Sequence, residues 1–459
     1  RVPGRRTGRG LRGGLSPAMA SSDALMARFL ALHPRTIDLS LGRIERLLAR
    51  LNHPERRLPP VIHVAGTNGK GSTIAFMRSI LEAGGLAAHV YTSPHLVRFH
   101  ERMRIGGIGG GHFVDEDRLA DAFARCESAN AGEPITMFEI TTAAAFLLFS
   151  ESPADVLLLE VGLGGRLDAT NVIDRPACAV VTPIGRDHAE YLGDTVESVA
   201  TEKAGIFKRG CPAVIAAQDY AEADAVLCRR AEAVGAGPVL VGNQDFSVHE
   251  ERGRLVYQDE TDLFDLPRPR LAGRHQLVNA GTAITALRAA GFGDIGTAAL
   301  ERGLTEVEWP GRLQRLGRGR LAAQLDPGTE LWLDGGHNID GGRILAAAMA
   351  DLGEKSDVPL VLVVGLLGTK DADGFLRNFV GLARALVAVP ITGTMAARPA
   401  EEVARIGEEV GLSTYAAPSI EAALALVRDI AFERPPRILI CGSLYLAGMV
   451  LAANDTPPV

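Results

Sequence analysis

The chain has 459 residues, enough for two or three domains, and 47% hydrophobic with 22% charged residues is typical of a globular protein. Five arginines and no acidic residue lie in the first 18 residues, so the remainder carries a formal charge of −12 against −7 for the whole chain. This acidic remainder argues against nucleic-acid binding through a broad basic face. No apolar run has the length of a membrane span or of a secretory signal. The five scattered cysteines, without CxxC spacing, predict reduced thiols and a cytoplasmic protein.

The domain organisation can be predicted from composition and from the places where proline and glycine interrupt regular structure. Residues 1–18 are poor in apolar side chains, and we expect a disordered extension with Met19 as the natural start. A basic arm for nucleic acid is the alternative. Trp309-Pro310-Gly311 interrupts both helical and strand periodicity, which predicts a first domain over 19–312 and a second over 313–459.

Apolar runs alternate with amphipathic helices along most of the chain. The runs are continuous, as expected of strands buried on both faces of a largely parallel sheet. Strands are predicted at 61–65, 87–91, 156–161, 177–182, 212–217, 331–334, 360–365, 385–390 and 437–441. Helices are predicted after a cap at Ser40 and at 342–352, 375–385, 400–410 and 420–432. The fold class is therefore α/β, with two α/β domains.

The strongest local motif is VIHVAGTNGKGST, in which a predicted strand leads into a glycine-rich turn over 66–72 and then a helix. Glycines let backbone N–H groups point at a phosphate, the helix N-terminus adds positive charge, and Lys70 adds a cation. The spacing departs from GxxxxGK[ST], because Gly71 separates Lys70 from Ser72. We predict phosphate binding; an ordinary glycine-rich turn is the alternative.

Other polar residues follow the ends of other predicted strands, where ligands gather in doubly wound sheets. Ser93 in YTSPH has a hydroxyl for a hard cation, although a simple polar turn is an alternative. Glu160 ends an apolar strand, where a carboxylate is costly to bury unless it is paired or binds a metal; a salt-bridged loop is the alternative. His188 follows a third strand and could bind a ligand or be a satisfied histidine.

Weaker signals follow further along the chain. Asn279 lies in a segment that opens a helix and could bind a purine or a ribose. Arg312 lies in the predicted linker, from which it could reach phosphates when the domains close. Asp334 and His337 follow a strand of the second domain.

Together these segments resemble the folylpolyglutamate synthase and dihydrofolate synthase family of ATP-dependent amide ligases, which is related to the Mur ligases. The matching segments run in family order from about residue 33 to 448 and are HPRTIDLSLGRIERLL, HVAGTNGKGST, YTSPHLVRFHER, LLLEVGLGGRLDATN, IGRDHAEYLG, EKAGIFK, HQLVNA, PGRLQ, DGGHN, KDADGFL and CGSLYLAG. The resemblance implies a P-loop ATPase-type, mostly parallel sheet domain, a smaller Rossmann-like domain, and an active site in the cleft between them. It also implies a cytoplasmic monomer.

The resemblance implies a role for each matching residue. Catalytic roles fall to Lys70, Lys203, His188 and Arg312. ATP contacts fall to Thr67, Asn68, Gly69, Lys70, Gly71, Ser72, Asn279, Arg312, Asp334 and His337. One Mg²⁺ would be bound by Ser93 and Glu160, and a second by Glu160, His188 and a CO₂-derived carbamate on Lys203. The pteridine or its linker would lie near Thr36, Ile37, Asp38, Leu39, Thr136, Met137, Phe138, Glu139, Leu167, Asp168 and Ala169.

The implied reaction passes the γ-phosphoryl group of ATP to a substrate carboxylate, and the amine of L-glutamate then displaces phosphate. The substrates would be 7,8-dihydropteroate and reduced folates; HPRTIDL favours this bifunctional kind. Three departures from the pattern are Gly336 in place of an alanine, Arg186, which puts a charge before Asp187-His188, and an unusually glycine-rich loop over 105–111. Alternatives are a folylpolyglutamate synthase alone and a nucleotide-dependent switch without ligase chemistry. A UDP-binding Mur ligase is disfavoured because only about 47 residues separate Met19 from Gly66.

Overall fold

A computed structural model describes residues 21–33, 37–394 and 396–459. The expectations for residues 1–18 and for Thr36 lie outside these ranges. The helices are α1 Ser22–Leu30, α2 Gly42–Arg50, α3 Lys70–Ala83, α4 Glu116–Asn130, α5 Met137–Ser150, α6 Ala189–Leu192, α7 Val196–Lys203, α8 Ala221–Val234, α9 His275–Leu287, α10 Thr297–Glu306, α11 Ile339–Lys355, α12 Ala372–Leu376, α13 Ala400–Glu409, α14 Ile420–Asp429 and α15 Leu444–Ala453. Within the described ranges, no helix has the length and hydropathy needed to cross a bilayer.

The strands form three sheets. They are β1 Val61–Ala65, β2 Ala88–Tyr91, β3 Met103–Ile105, β4 His112–Phe113, β5 Val156–Glu160, β6 Cys178–Val181, β7 Ala213–Ile215, β8 Val239–Val241, β9 Phe246–Glu251, β10 Arg254–Asp259, β11 Leu263–Pro267, β12 Gln314–Arg315, β13 Glu330–Leu333, β14 Leu360–Val364, β15 Ala383–Ala388, β16 Thr414–Ala416 and β17 Arg437–Cys441.

The first sheet has eight strands in the order β4-β3-β2-β5-β1-β6-β7-β8. The six strands from β2 to β8 in that order are parallel, and β3 and β4 add an antiparallel edge. All residues of β1, β5 and β6 are buried, which explains their continuous apolar sequences. The order places the carboxyl ends of β2, β5, β1 and β6 side by side at one edge.

The second large sheet has six strands in the order β12-β13-β17-β14-β15-β16. All neighbours pair in parallel except β12 with β13, which are antiparallel. Apolar clusters cover both faces of this sheet. The predicted α/β class, with two largely parallel sheets in succession, is therefore confirmed.

Two local predictions need correction, and one sheet was not predicted. Helix α2 begins after Leu41 and has no side-chain cap, so Ser40 is not its cap. The predicted helix over 375–385 is wrong: α12 ends at Leu376, a short 3₁₀ turn follows, and β15 already begins at Ala383. The antiparallel sheet β11-β10-β9 was not predicted; its strands are partly exposed and include polar residues, so they lack the continuous apolar runs used to find the others.

Candidate active site

The turn between β1 and α3 is fastened to the segment after β6. The N–H groups of Thr67 and Asn68 both donate to the Pro183 carbonyl oxygen at 3.1 Å. The Thr67 hydroxyl also exchanges 3.0 Å hydrogen bonds with the backbone of Gly185. Because these two amides are used internally, a phosphate would be held by N–H groups at the start of α3, which have no partners within the helix.

Backbone angles and two close contacts show why glycine is required around this turn. Gly66 and Gly69 have φ of 150° and 88°, in the region that side chains rarely adopt. A Cβ at Gly69 would lie 2.4 Å from Asn279 Oδ1, and one at Gly71 would lie 2.7 Å from the ring of Trp309. Asn279 therefore packs directly on the turn. Trp309, which the sequence analysis treats only as part of a linker, contacts it as well.

Lys70 and Glu160 face each other across this turn. The Lys70 Nζ donates to the Gly66 carbonyl oxygen at 3.1 Å and lies 4.0 Å from Glu160 Oε1. The other carboxylate oxygen of Glu160 accepts a 3.0 Å hydrogen bond from the Ser93 N–H. Burial raises the pKa of Glu160, and the nearby positive charge of Lys70 opposes that rise. The ends of β1, β2 and β5 thus bring the predicted residues together.

Lys203 lies at the last turn of α7, buried to 6% exposure. Gly165 allows this approach, because a Cβ there would lie 2.9 Å from Lys203 Cα. Burial and the charge of Lys70 lower the pKa of Lys203 to about 7, although Asp187, Asp168 and Glu160 partly oppose this. An amine with this pKa is neutral in about half of the molecules at pH 7, whereas an ordinary lysine is almost fully charged.

His188 begins the short helix α6 with a left-handed φ of 55°. Burial lowers the pKa of His188 to about 4, an effect that Asp187 opposes and that the charges of Lys370, His337 and Lys203 reinforce. The imidazole is therefore neutral at pH 7, the form that can bind a metal. Arg186, the departure noted in the sequence, is exposed, and its backbone N–H donates to Asp340 Oδ2 at 3.3 Å.

Asp187 connects the two halves of the chain. Its carboxylate lies 3.2 Å from His337 Nε2, accepts from Asn338 Nδ2 at 3.2 Å, and pairs with Lys370 Nζ at 2.5 Å. Burial acts to raise the pKa of Asp187, but the hydrogen bond from His337 and the surrounding cations hold it well below its usual range. The pairing of Asp187 with Lys370 was not predicted, because the two residues lie 183 positions apart and neither segment alone shows that they meet.

Arg312 and Asp334 lie where the linker meets the second sheet. Asp334 accepts hydrogen bonds from the N–H groups of Leu313 at 2.7 Å and Gly336 at 2.6 Å. Burial raises the pKa of Asp334, and the charge of Arg312 opposes that rise. Arg312 also lowers the pKa of Glu160. Its guanidinium group therefore acts on carboxylates of both halves of the chain.

A second group of predicted residues meets beside Glu160. Thr136 caps α5 in a reciprocal capping box with Glu139. Phe138 packs over Gly162, where a Cβ would lie 2.4 Å from its ring. Asp168, only 2% exposed, accepts from the N–H groups of Leu163 and Thr170 at 2.9 and 3.0 Å. Asp168 thus holds the loop after β5, with Leu167 and Ala169 on either side of it.

The oxygen donors beside the phosphate turn are of the kind that binds a divalent cation. Glu160 and the Ser93 hydroxyl suit Mg²⁺, which is usually bound by one or two carboxylates together with phosphates and water. Within residues 21–33, 37–394 and 396–459, no group of three or more His, Cys, Asp and Glu side chains could hold a metal ion. The described residues would offer a second ion beside Glu160 one carboxylate and one imidazole, from Glu160 and His188, and a carbamate on Lys203 would add an oxygen ligand. The residues at Ser93 and Glu160 therefore fit a divalent cation, and a modified Lys203 would complete the ligands of a second.

Comparison with known proteins supports the same assignment. Residues 64–287 match the Mur ligase middle domain and residues 320–453 the dihydrofolate synthetase C-terminal domain. A relative from Escherichia coli, named dihydrofolate synthase/folylpolyglutamate synthase, is 33% identical over 96% of this chain and 97% of its own. The structure of E. coli FolC in complex with DHPP and ADP has a TM-score of 0.85 and 31% identity, covering 96% of this chain and 99% of that one.

A second similar structure contains a metal ion. The bifunctional folylpolyglutamate synthase/dihydrofolate synthase from Yersinia pestis, complexed with AMPPNP and Mn ion, has a TM-score of 0.82 and 31% identity, covering 96% and 99% of the two chains. The family resemblance, the ATP-dependent ligase class and the fold predicted from the sequence are therefore confirmed. The chain belongs to the dihydrofolate synthase/folylpolyglutamate synthase family of Mur-type, ATP-dependent ligases.

Proposed function

We propose that this chain joins L-glutamate to 7,8-dihydropteroate and to reduced folates, with ATP converted to ADP and phosphate. The observation that carries the proposal is the convergence of Lys70, Ser93, Glu160, His188 and Lys203 at the carboxyl edge of the first sheet. The names of relatives with nearly full coverage support the substrates.

The chain's own residues would divide the work as follows. N–H groups at the start of α3 and Lys70 would hold the β- and γ-phosphates, and Arg312 would add positive charge from the linker as negative charge accumulates. Thr67, Asn68, Gly69, Gly71 and Ser72 shape this cradle, with Asn279 packed on it. Asp334 and His337 would act from the side of the second sheet. An acyl phosphate hydrolyses readily, so contacts such as Asp187–Lys370 that close the cleft would also exclude water.

Metal binding is part of the proposal. Ser93 and Glu160 would hold one Mg²⁺, which when bound neutralises phosphate charge. A carbamate on Lys203 would supply the missing ligand of a second site with Glu160 and His188. The resemblance and the buried position of Lys203 beside Glu160 support this modification.

The acid substrate would lie against the second group of residues, formed by 37–39, 136–139 and 167–169. These segments adjoin Glu160 through the packing of Phe138 on Gly162. We further propose a domain boundary near residue 312, a monomer in solution and a cytoplasmic location. The position of Arg312 before β12, the first strand of the second large sheet, supports the boundary.

One assay tests the function. Release of ADP is measured with dihydropteroate and with tetrahydrofolate side by side, each with and without L-glutamate. We expect glutamate-dependent release with both acids and none with a UDP-muramoyl substrate. Release with tetrahydrofolate alone would indicate a folylpolyglutamate synthase only. Absence of release with every pteroate and folate, or release that does not depend on glutamate, would contradict the ligase assignment.

A further inference from the structure

Arg43, at the second position of α2, forms a cluster of ion pairs beside the acid site. Its Nε donates to both carboxylate oxygens of Glu139, at 3.1 and 3.0 Å. Its Nη1 donates to Asp38 Oδ2 at 3.0 Å, and its Nη2 donates to the Asp38 carbonyl oxygen. The side chains of Arg43 and Glu139 are only 17% and 4% exposed, so this is a largely desolvated pair in which geometry matters.

These bonds join two segments that are distant in sequence. Residues 37–40 form neither helix nor strand, so regular hydrogen bonding does not fix their position. Glu139 is in turn fixed to the start of α5, because it also accepts from the Thr136 N–H at 2.8 Å. One arginine therefore ties an irregular segment to the rigid first turn of a buried helix.

The position of this cluster gives it a consequence for substrate binding. Phe138, next to Glu139, packs on Gly162, and Gly162 lies two residues after Glu160. Through Arg43 and Glu139, residues 37–39 are therefore tied to the start of α5, which packs next to the carboxyl edge of the first sheet. The Glu139 carboxylate accepts from Arg43 and from the helix cap, so it fixes residues 37–39 relative to that edge.

We propose that Arg43 is a positioning residue for the carboxylic-acid substrate, which clamps residues 37–39 against the start of α5 and so sets the affinity for pteroate and folate. This rests on the proposed function. The side chain acts through Asp38 and Glu139 and takes no part in phosphate chemistry. Its loss therefore changes acid binding separately from ATP binding.

Kinetics of Arg43→Met and Arg43→Lys test the clamp. We expect Arg43→Met to raise KM for dihydropteroate and tetrahydrofolate at least tenfold while KM for ATP stays within twofold and kcat within threefold. Arg43→Lys should be intermediate, because an ammonium group keeps the charge but cannot bond both carboxylates as a planar fork does. The matched control is Arg50→Met on the same helix, which bonds the carbonyl oxygens of Ala129 and Asn130 and touches neither carboxylate. An unchanged acid KM, or equal rises for acid and ATP, overturns the proposal.

A measurement without substrates separates this proposal from the ligase assignment. Amide hydrogen exchange is followed in the wild type, Arg43→Met and Arg50→Met. We expect exchange of residues 37–41 to be at least tenfold faster in Arg43→Met alone, with the interior of α5 unchanged. Wild-type exchange rates in that segment would overturn the clamp even if the ligase is active. If instead the wild type fails every ligase assay while the segment is loosened, the proposed function fails and the clamp stands.

Discussion

At the scale of single residues, the site combines buried ionisable groups whose charges depend on one another. Lys203 and Glu160 lie in the same buried region, and burial favours the neutral form of each. The charges of Lys70 and Arg312 oppose the rise in the pKa of Glu160, whereas the charge of Lys70 adds to the fall in the pKa of Lys203. The charge of Lys70 thus favours the anionic form of Glu160 and the uncharged form of Lys203.

Replacing Lys203 tests its part in the reaction. We expect Lys203→Ala to lower kcat at least 100-fold and to change the Kd for ATP less than fivefold, because the phosphate cradle lies on other elements. Added bicarbonate should not rescue the variant, which has no amine to modify. The matched control is Lys208→Ala, a half-buried lysine on the same segment whose Nζ bonds the Asn171 carbonyl oxygen at 3.5 Å. Wild-type turnover in Lys203→Ala would show that this lysine has no role in the reaction.

His63, in the middle of β1, makes stability depend on pH. It is fully buried, and burial together with the charge of Lys208 lowers its pKa to about 3. Above about pH 6.5 the ring is neutral in both folded and unfolded states, whereas below it only the unfolded state gains a proton. Stability is therefore lost as the pH falls, by about 2 kcal/mol between pH 7.5 and 5.

The measurement is urea unfolding of the wild type and His63→Gln at both pH values. His63→Gln should show a smaller loss of unfolding free energy, by about 2 kcal/mol, whatever its absolute stability. His249→Gln, on the exposed end of β9, serves as control and should keep the wild-type difference. An equal loss in the wild type and His63→Gln would show that His63 does not contribute.

At the scale of elements, what the sequence predicts depends on how completely an element is buried. Strands β1, β5 and β17 are predicted within one residue, because each is a short, fully buried run with four apolar residues out of five. The meeting of Ser93, Glu160 and the phosphate turn also followed from the sequence, because neighbouring parallel strands end at one edge. The Arg43–Glu139 and Lys370–Asp187 pairs did not, since they join residues 96 and 183 positions apart. The helix predicted at 375–385 is wrong because a 3₁₀ turn follows Leu376 and the last three residues, 383–385, already belong to β15.

Packing of the loop after β5 against the end of α7 yields a prediction for a glycine. A Cβ at Gly165 would lie 2.7 Å from the Glu202 carbonyl oxygen and 2.9 Å from Lys203 Cα, and neither backbone atom can rotate away. We therefore expect Gly165→Ala to displace Lys203 and lower kcat at least tenfold, with ATP binding within fivefold. Gly353→Ala on α11, where a Cβ meets nothing within 4 Å, should retain activity and gain about 0.5–1 kcal/mol of stability from helix propensity. Full activity in Gly165→Ala would show that the loop after β5 can move enough to accommodate the added Cβ.

At the scale of the whole molecule, the two large sheets are held together by contacts of different character. One is the buried cluster in which Asp187, after β6, meets His337, Asn338 and Lys370. Another is the exposed pair between Asp219 and Arg343, whose side chains are 56% and 50% exposed. A third is the approach of α15 to the segment after β2, where a Cβ at Gly448 would overlap the Leu96 carbonyl oxygen. Only the first of these contacts reaches the catalytic edge of the first sheet.

The two ion pairs allow a matched test of closure. In Lys370→Met the Asp187 carboxylate loses its buried counter-charge. Such a loss typically costs about 3–5 kcal/mol, and here it destabilises the closed arrangement of the two large sheets. Arg343→Met breaks a solvent-exposed pair, worth about 0–1 kcal/mol. We expect Lys370→Met to lower kcat/KM for glutamate at least 30-fold and to enlarge the radius of gyration measured by X-ray scattering with ADP present. Arg343→Met should match the wild type in both measurements, and the thermal unfolding of each variant verifies that the domains remain folded. Equal behaviour of the two variants would mean that Asp187 and Lys370 do not control closure.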